Sequence, residues 1–278
     1  MSEFSASDAA LEGFNVIRRH WRVVAGWAAF NLLALVAMVV ITVVIVLMLV
    51  ASTGSGQGQA PGDLSAVVGG VVAVLGAALT EVVIAAGLFR LMLRPDEPAF
   101  LFLRLGRDEI RLLAVWALGI AALGLLVALS VALGEAADRL FPAARILPGL
   151  AVAVVAIWLG LRFCLAVPIS FAERRIDFAR SWRLTRGHAW GLLGMSLLAA
   201  CLLALVSIVW WLAVFMLTGA LTGFHDFASL AGADALETHP GRYLLQLAAQ
   251  MLFAPVLWVL SQAPLAAAYQ ALSAPADT

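Results

Sequence analysis

Two ionisable residues lie inside long apolar runs of this sequence, where a charged side chain could bind a ligand or pair with another charge. Glu81 stands thirteen residues before Arg94 and Arg162 stands twelve before Arg174, so we expect the two side chains at similar depth in a bilayer. Ionisable groups in hydrocarbon are costly and usually face a partner or a water-filled cavity. One interpretation is a gated polar site or a binding point for an anionic headgroup. The other, which we favour, is a buried ion pair that holds two helices together.

A second group of candidate residues consists of three arginines and two tryptophans: Arg180, Arg183, Arg186, Trp182 and Trp190. Asp177, ahead of them, is a good helix N-cap, and the apolar residues after it recur at helical spacing while the arginines fall on other faces. This pattern is typical of a short basic helix lying along a membrane surface. Because a guanidinium can grip a phosphate bidentately, we expect contact with anionic lipid on the cytoplasmic leaflet. The alternative is that the arginines only set the orientation of the chain.

The elements that must position these residues follow from composition. The chain of 278 residues is 64% hydrophobic and 12% charged, so most of its apolar side chains cannot fit inside one soluble core. Six runs poor in charge exceed the roughly 20 residues that cross a bilayer. They are 23–50, 64–93, 110–134, 146–171, 190–221 and 243–272. The sequence predicts an all-α polytopic membrane protein: an amphipathic interfacial segment at 1–22, a six-helix domain at 23–272 and a short tail at 273–278.

The arginines also predict an orientation. All seventeen strongly basic residues are arginine. Thirteen lie in the N-terminal segment or in the connections between helices two and three and helices four and five. Only Arg139, Arg145 and Arg242 lie in connections on the opposite side, and Arg162 lies within helix four. By the positive-inside rule, both termini are expected in the cytoplasm.

Two further stretches resemble the basic helix before helix five. Before helix one, Leu11, Phe14, Ile17 and Trp21 form an apolar stripe behind the capping signature "SASD". Before helix three, the corresponding residues are Phe100, Leu103, Arg104, Arg107 and Arg111. The sequence is therefore compatible with three repeats, each a basic interfacial helix followed by two spans. The alternative is chance likeness among apolar helices.

Other polar residues within the runs predict contacts between helices. Asn31 is expected to form an ordinary interhelical hydrogen bond. Helix six is expected to be kinked and bonded to its neighbours, because it contains several glutamines and two prolines: Gln246, Gln250, Gln262, Pro255 and Pro264. Prolines that open a permeation path are the functional alternative.

One segment resembles a known family. The stretch "LPGLAVAVVAIWLGLRFCLAVPISFAERRIDFARSWRLTRGHAWGLL" is similar to the glycerophosphoryl diester phosphodiesterase membrane domain of bacterial multi-pass proteins. The likeness depends on Arg162, on Pro168 and on the motif "SWRLTRG", and "LRPDEPAFLFLRLGRDEIRLL" is similar to the second loop of alphaproteobacterial members. It covers most of the chain between Arg90 and Ala200. The resemblance implies a multi-pass protein of a bacterial inner membrane, without a settled activity.

Catalysis is not expected. The family takes its name from a separate catalytic barrel of some 250 residues, for which no segment here has room. The chain has no nucleophile elbow, zinc-protease pair, phosphate loop or dinucleotide fingerprint. Five residues between helices five and six could ligate a metal, although a solvated polar loop is the favoured interpretation. They are His225, Asp226, Asp234, Glu237 and His239. No catalytic residue, cofactor or metal ligand is therefore predicted.

Two functions of different classes remain. The first is a non-enzymatic inner-membrane protein that binds, organises or moves anionic lipid, with membrane lipids as its partners and no nucleic acid. The second is a small-solute transporter or a permease-like membrane subunit. A transporter built from repeats should have broken helices at matched positions, whereas only helix six carries two prolines, which favours the first function.

Overall fold

A computed structural model describes residues 5–53, 61–97, 100–138, 146–222 and 240–273. The described residues are 91% helical and contain no strand. The helices are α1 (Ala6–Arg19), α2 (Trp21–Thr53), α3 (Pro61–Leu93), α4 (Arg107–Asp138), α5 (Ile146–Phe163), α6 (Ala166–Ala172), α7 (Phe178–Thr185), α8 (Ala189–Thr222) and α9 (Pro240–Ser273). A 3-10 turn, Phe100–Phe102, precedes α4. The predicted all-α class is confirmed.

Six helical stretches are long and apolar enough to cross a membrane. They are Trp21–Met48, Val67–Leu93, Phe100–Asp138, Ile146–Ala172, Ala189–Leu221 and Gly241–Ser273. Each coincides with one predicted run. A backbone in hydrocarbon must satisfy its own hydrogen bonds, so an apolar run of this length folds as a helix. The six predicted spans are confirmed, and the chain is a multi-pass membrane protein.

Large apolar side chains cover the outside of the spans. Leu125 in α4 is 72% exposed, and Val74 in α3 and Leu33 in α2 are each 68% exposed. Such surfaces would be unstable in water, because burial of apolar area is the main favourable term in folding. In a membrane these side chains face lipid tails.

The described residues fall into two compact units. The first comprises those within Met1–Gly13, Ala86–Ala199 and Gln262–Thr278. Its apolar core joins α1, the start of α6, α8 and α9 through Ala9, Ala10, Leu165, Ile169, Leu192, Met195 and Ala268. Gln270 Nε2 also donates to the carbonyl of Met92 at 2.8 Å, which ties the end of α9 to the end of α3.

The second unit comprises the described residues within Phe14–Ala85 and Ala200–Ser261. The Asn31 side-chain amide donates to the Met251 carbonyl at 2.7 Å and joins α2 to α9. The predicted interhelical bond of Asn31 is thereby confirmed. Trp210 of α8 stacks on Phe253 of α9, with ring centroids 4.1 Å apart.

Amphipathic helices that carry arginines occur before spans one and five but not before span three. In α1, Ser5 Oγ accepts from the Asp8 amide at 3.3 Å, as the capping signature predicts. Before α4, by contrast, the described residues form only the three-residue turn at Phe100–Phe102, where Leu101 and Phe102 have φ of 53° and 59°. A helix cannot continue through such dihedrals. The prediction of an interfacial helix before span three is wrong. In the described chain, such a helix occurs twice, as α1 and α7.

Span four contains a break in its helix that the sequence alone did not predict. α5 ends at Phe163 and α6 begins at Ala166, with a turn at Cys164 and Leu165 between them. Pro168 lacks the N–H that would bond the Cys164 carbonyl, which weakens the ladder at this point. α9 runs as one helix from Pro240 to Ser273 despite Pro255 and Pro264. The prolines of span six therefore do not interrupt its helix.

Candidate functional site: an arginine-lined cavity

The predicted short helix is present as α7, in the first unit, and its position at a membrane surface stays a prediction. Asp177 caps it, since the carboxylate accepts from the Arg180 amide at 2.8 Å. The apolar face packs on the end of α5: Phe178 meets Phe163 with centroids 5.8 Å apart, and Trp182 meets Trp158 edge-on at 5.1 Å. Trp182 therefore packs against protein, a contact that helical spacing alone could not reveal.

The three predicted arginines of α7 differ in their surroundings. Arg180 makes an ion contact with Glu173 at 2.5 Å without hydrogen-bond geometry. Arg183 and Arg186 are exposed, and neither forms an ion pair with a described residue. Trp190, at the start of α8, is 85% exposed. Arg183, Arg186 and Trp190 thus keep the free surface that lipid contact requires.

The two predicted intramembrane charges lie in different units. Arg162, in the first, has its guanidinium carbon 5.9 Å and 5.2 Å from the ring centroids of Trp158 and Trp182. Its buried Nη1 has no hydrogen-bond partner among the described residues, while its backbone carbonyl accepts from Ser181 Oγ at 2.8 Å. Glu81 lies in the second unit, in the wall of a cavity. The Glu81–Arg162 pair stays a prediction.

A buried ion pair that the sequence did not reveal joins α3 to α4. Arg90 Nη2 lies 2.7 Å from Glu109 Oε1, and the two side chains are only 2% and 3% exposed. Arg90 Nη1 donates to the Phe102 carbonyl, so one guanidinium fixes both the turn and the start of α4. The available signal was the presence of four acids among the arginines of this loop, namely Asp96, Glu97, Asp108 and Glu109. The orientation prediction depends on the arginines alone.

Further ion pairs continue from this one. Arg94 Nη1 lies 3.1 Å from Asp108 Oδ2, and Arg94 Nη2 donates to the Phe171 carbonyl at the end of α6. Asp108 also binds Arg111. Arg174 Nη2 lies 2.6 Å from Glu97 Oε1. Together these contacts hold the end of α3, the turn, the start of α4 and the segment after α6 around one space.

That space is a cavity of about 430 Å³, which we call the arginine cavity. Its lining consists of Arg90, Glu97, Arg104, Gly106, Arg107, Asp108, Glu109, Arg111 and Arg174. Five arginines face three carboxylates, an excess of two positive charges. Each carboxylate already has an arginine partner. The two arginines that have no ion pair with a described residue, Arg104 and Arg107, are both exposed.

The arginine cavity is suited to an anion. Two unpaired guanidinium groups beside one space can present several N–H donors to a phosphate. Arg90 Nε and Glu109 Oε2 are buried without a described partner, so water or a ligand group can complete their hydrogen bonding. The ion pairs among the lining residues fix the shape of the cavity before any ligand arrives. Lipid phosphate is an anion that a membrane supplies in quantity.

The described part of the chain contains no cluster of side chains that could hold a metal ion. No three histidine, cysteine, aspartate or glutamate side chains come together there. The five polar residues from His225 to His239 lie outside the described residues, so that alternative stays a prediction.

The family resemblance also stays a prediction. No protein-family model, curated protein sequence or solved structure matches this chain.

Proposed function

We propose that this chain is a non-enzymatic protein of a bacterial inner membrane that binds anionic lipid on its cytoplasmic side. The arginine cavity is the headgroup site. The observation that carries the proposal is the pair Arg104 and Arg107, exposed at the cavity and without an ion pair to any described residue.

Orientation supports this assignment. Thirteen arginines lie before span one, between spans two and three or between spans four and five, and these segments share one side of the membrane. By the positive-inside rule, that side is cytoplasmic. The arginine cavity is built from two of these segments. The cytoplasmic leaflet of a bacterial membrane exposes anionic headgroups to such segments, and each arginine near them contributes about 1 kcal/mol of binding free energy.

Packing around the cavity supports a site rather than a diffuse patch. Arg90, Arg94, Arg111 and Arg174 are held by carboxylates or carbonyls. Rotamer entropy of long side chains opposes binding, and it is reduced when the neighbours are already ordered. Arg104 and Arg107 therefore act beside a fixed rim.

The exposed residues of α7 and α8 provide a second contact. Arg183 and Arg186 can meet phosphates, and Trp190 is amphipathic, as residues at the headgroup level of a bilayer commonly are. Because α7 packs on α5 through Trp182, these residues are fixed to a membrane span. Arg183, Arg186 and Trp190 would then organise lipid as a second contact of the same unit.

The test compares two neutralised pairs of exposed arginines. Arg104→Gln with Arg107→Gln removes the free charges of the cavity, whereas Arg18→Gln with Arg19→Gln removes two exposed charges elsewhere on the same predicted side. Each protein is placed in nanodiscs of phosphatidylcholine with a minor fraction of phosphatidylglycerol, and bound lipid is counted by native mass spectrometry.

Loss of two contacts of about 1 kcal/mol each predicts an affinity about 30-fold lower for phosphatidylglycerol in the cavity variant. The control pair should lose much less. Equal loss in both pairs would mean that bulk charge, not the cavity, attracts lipid, and no loss in either would reject the proposal.

A small-solute transporter remains the second candidate, favoured by the break between α5 and α6 in span four. Transporters often place substrate at discontinuous helices. The other five spans each run as one helix through their membrane-crossing residues, apart from the turn that precedes α4. Uptake of a solute by reconstituted vesicles, abolished by changes at the break, would favour this candidate.

A further inference from the structure

The second unit has a partly open cavity of its own, about 420 Å³ in volume, lined by α2, α3 and α9. We call it the Glu81 cavity. Most of its lining is alanine, leucine, valine, isoleucine, methionine and tryptophan. A volume of this size lies within the range of about 300–1,000 Å³ that small-molecule sites occupy.

Glu81 is the only ionisable side chain among the described residues of this lining. Two polar neighbours are already engaged: Thr80 Oγ1 donates to the Gly76 carbonyl at 2.8 Å, and the Asn31 amide donates to the Met251 carbonyl at 2.7 Å. Within its own unit, no described residue forms a hydrogen bond or an ion pair with the Glu81 carboxyl. Within this unit, the cavity therefore presents one acid that has no described partner.

The position of Glu81 makes that acid costly. The span runs from Val67 to Leu93, so at 1.5 Å per residue Glu81 lies about 20 Å from either end. A carboxylate near the centre of a bilayer needs a partner. A cation inside the cavity is a partner that the geometry can accommodate.

The lining also selects the kind of cation. A bare metal ion needs about six oxygen ligands, and this lining offers one carboxylate with few other free oxygens. An organic cation carries its positive charge on an apolar body and needs no such shell. The carboxylate matches the charge, and the apolar wall matches the body.

We propose that the Glu81 cavity binds a hydrophobic organic molecule with a single positive charge, and that Glu81 is its counter-ion. The proposal does not depend on lipid binding at the arginine cavity, which lies in the other unit and selects the opposite charge. It requires only that the carboxylate is free to meet a ligand.

The experiment uses two probes of the same shape and opposite charge, tetraphenylphosphonium and tetraphenylborate. Binding to the purified full chain in nanodiscs is measured by equilibrium dialysis. Four proteins are compared: the parent, Glu81→Gln, Ala73→Leu and Glu135→Gln. Ala73 lines the cavity, so leucine there fills space while Glu81 is kept. Glu135 is an exposed carboxylate of α4 outside the lining, and it controls for loss of one negative charge.

The parent should bind the phosphonium at least tenfold more tightly than the borate. Glu81→Gln should remove that preference, Ala73→Leu should weaken phosphonium binding at least fivefold, and Glu135→Gln should change neither. Thermal unfolding of each variant establishes that it is folded. The Ala73→Leu result keeps the test decisive if Glu81→Gln does not fold.

Three outcomes would overturn the proposal. The first is equal phosphonium binding by the parent and Glu81→Gln. The second is a parent that binds neither probe above empty nanodiscs, as expected if Glu81 were already neutralised by Arg162. The third is phosphonium binding that Ala73→Leu leaves unchanged, which would locate the probe elsewhere.

Discussion

Arg90 and Glu109 form a buried ion pair, with Arg90 Nη2 2.7 Å from Glu109 Oε1, across the connection between α3 and α4. The two residues are nineteen positions apart, and their contact joins the end of one span to the start of the next. Its geometry fixes one wall of the arginine cavity, since both side chains line it. The sequence alone did not predict this buried ion pair between helices.

Breaking this pair should be strongly destabilising. Glu109→Gln leaves the Arg90 charge buried, with an expected loss of about 3–5 kcal/mol in the free energy of unfolding. Arg90→Met with Glu109→Leu removes both charges and should recover most of that loss, because apolar replacements of buried pairs are often neutral. Unfolding in mixed micelles measures both. A single variant as stable as the parent would show that the pair contributes nothing.

The sequence alone predicts that Glu81 and Arg162, at similar depth in the bilayer, come within ion-pair distance, which is the alternative to the ligand-binding role that we propose for Glu81. Each single neutralisation would then strand one charge and cost about 3–5 kcal/mol, and the charge-swapped double variant should recover part of it. Stability of Glu81→Gln, Arg162→Gln and the swap is measured by the same unfolding assay. Additive effects would mean that the residues do not interact. Glu81 would then be free for a ligand.

Arg183 and Arg186 should contribute more to lipid contact than Arg180, because Arg180 already has Glu173 beside it. Two cations of about 1 kcal/mol each predict roughly 30-fold weaker binding of phosphatidylglycerol by Arg183→Gln with Arg186→Gln. Arg180→Gln alone should change it little. Co-purified anionic lipid gives the readout, while a topology reporter checks orientation. Undiminished lipid in the double variant would leave these arginines as orientation signals only.

Both termini should face the cytoplasm. Single cysteines at Ser55 and Ala233, in a chain without Cys164 and Cys201, should react with an impermeant maleimide in intact cells. Both positions lie outside the described residues, so this prediction depends on the arginine distribution alone. Reaction only after lysis would reverse the assigned orientation.

Gly187, between α7 and α8, should tolerate no side chain without strain. Its φ is +90°, a conformation that residues with a Cβ rarely adopt, although an added Cβ would meet no described atom within 4 Å. Gly187→Ala should therefore lose about 1–2 kcal/mol from backbone strain alone. Gly194→Ala in α8 has equally open surroundings and helical dihedrals, so it should be neutral or stabilising. Equal melting temperatures for the two variants would contradict this account.

Local features of the sequence determined much of the fold. Each of the six apolar runs became a span because hydrocarbon leaves the backbone no partner but itself. The N-caps at Ser5 and Asp177 were also readable, since a cap is an interaction between near neighbours. Interactions between near neighbours, or between the chain and the surrounding hydrocarbon, were therefore enough to predict these elements.

Pairings between distant residues were decided only by the tertiary structure. Arg90 and Glu109 meet because the turn at Leu101 and Phe102 reverses the chain with positive φ angles, which no periodic pattern encodes. The same turn replaced the predicted basic helix before span three. A charge count assigns arginines to a side of the membrane, but it cannot say which are neutralised by carboxylates. Only packing left Arg104 and Arg107 without an ion pair to a described residue at the arginine cavity, because ion pairs depend on side-chain distances that the sequence does not contain.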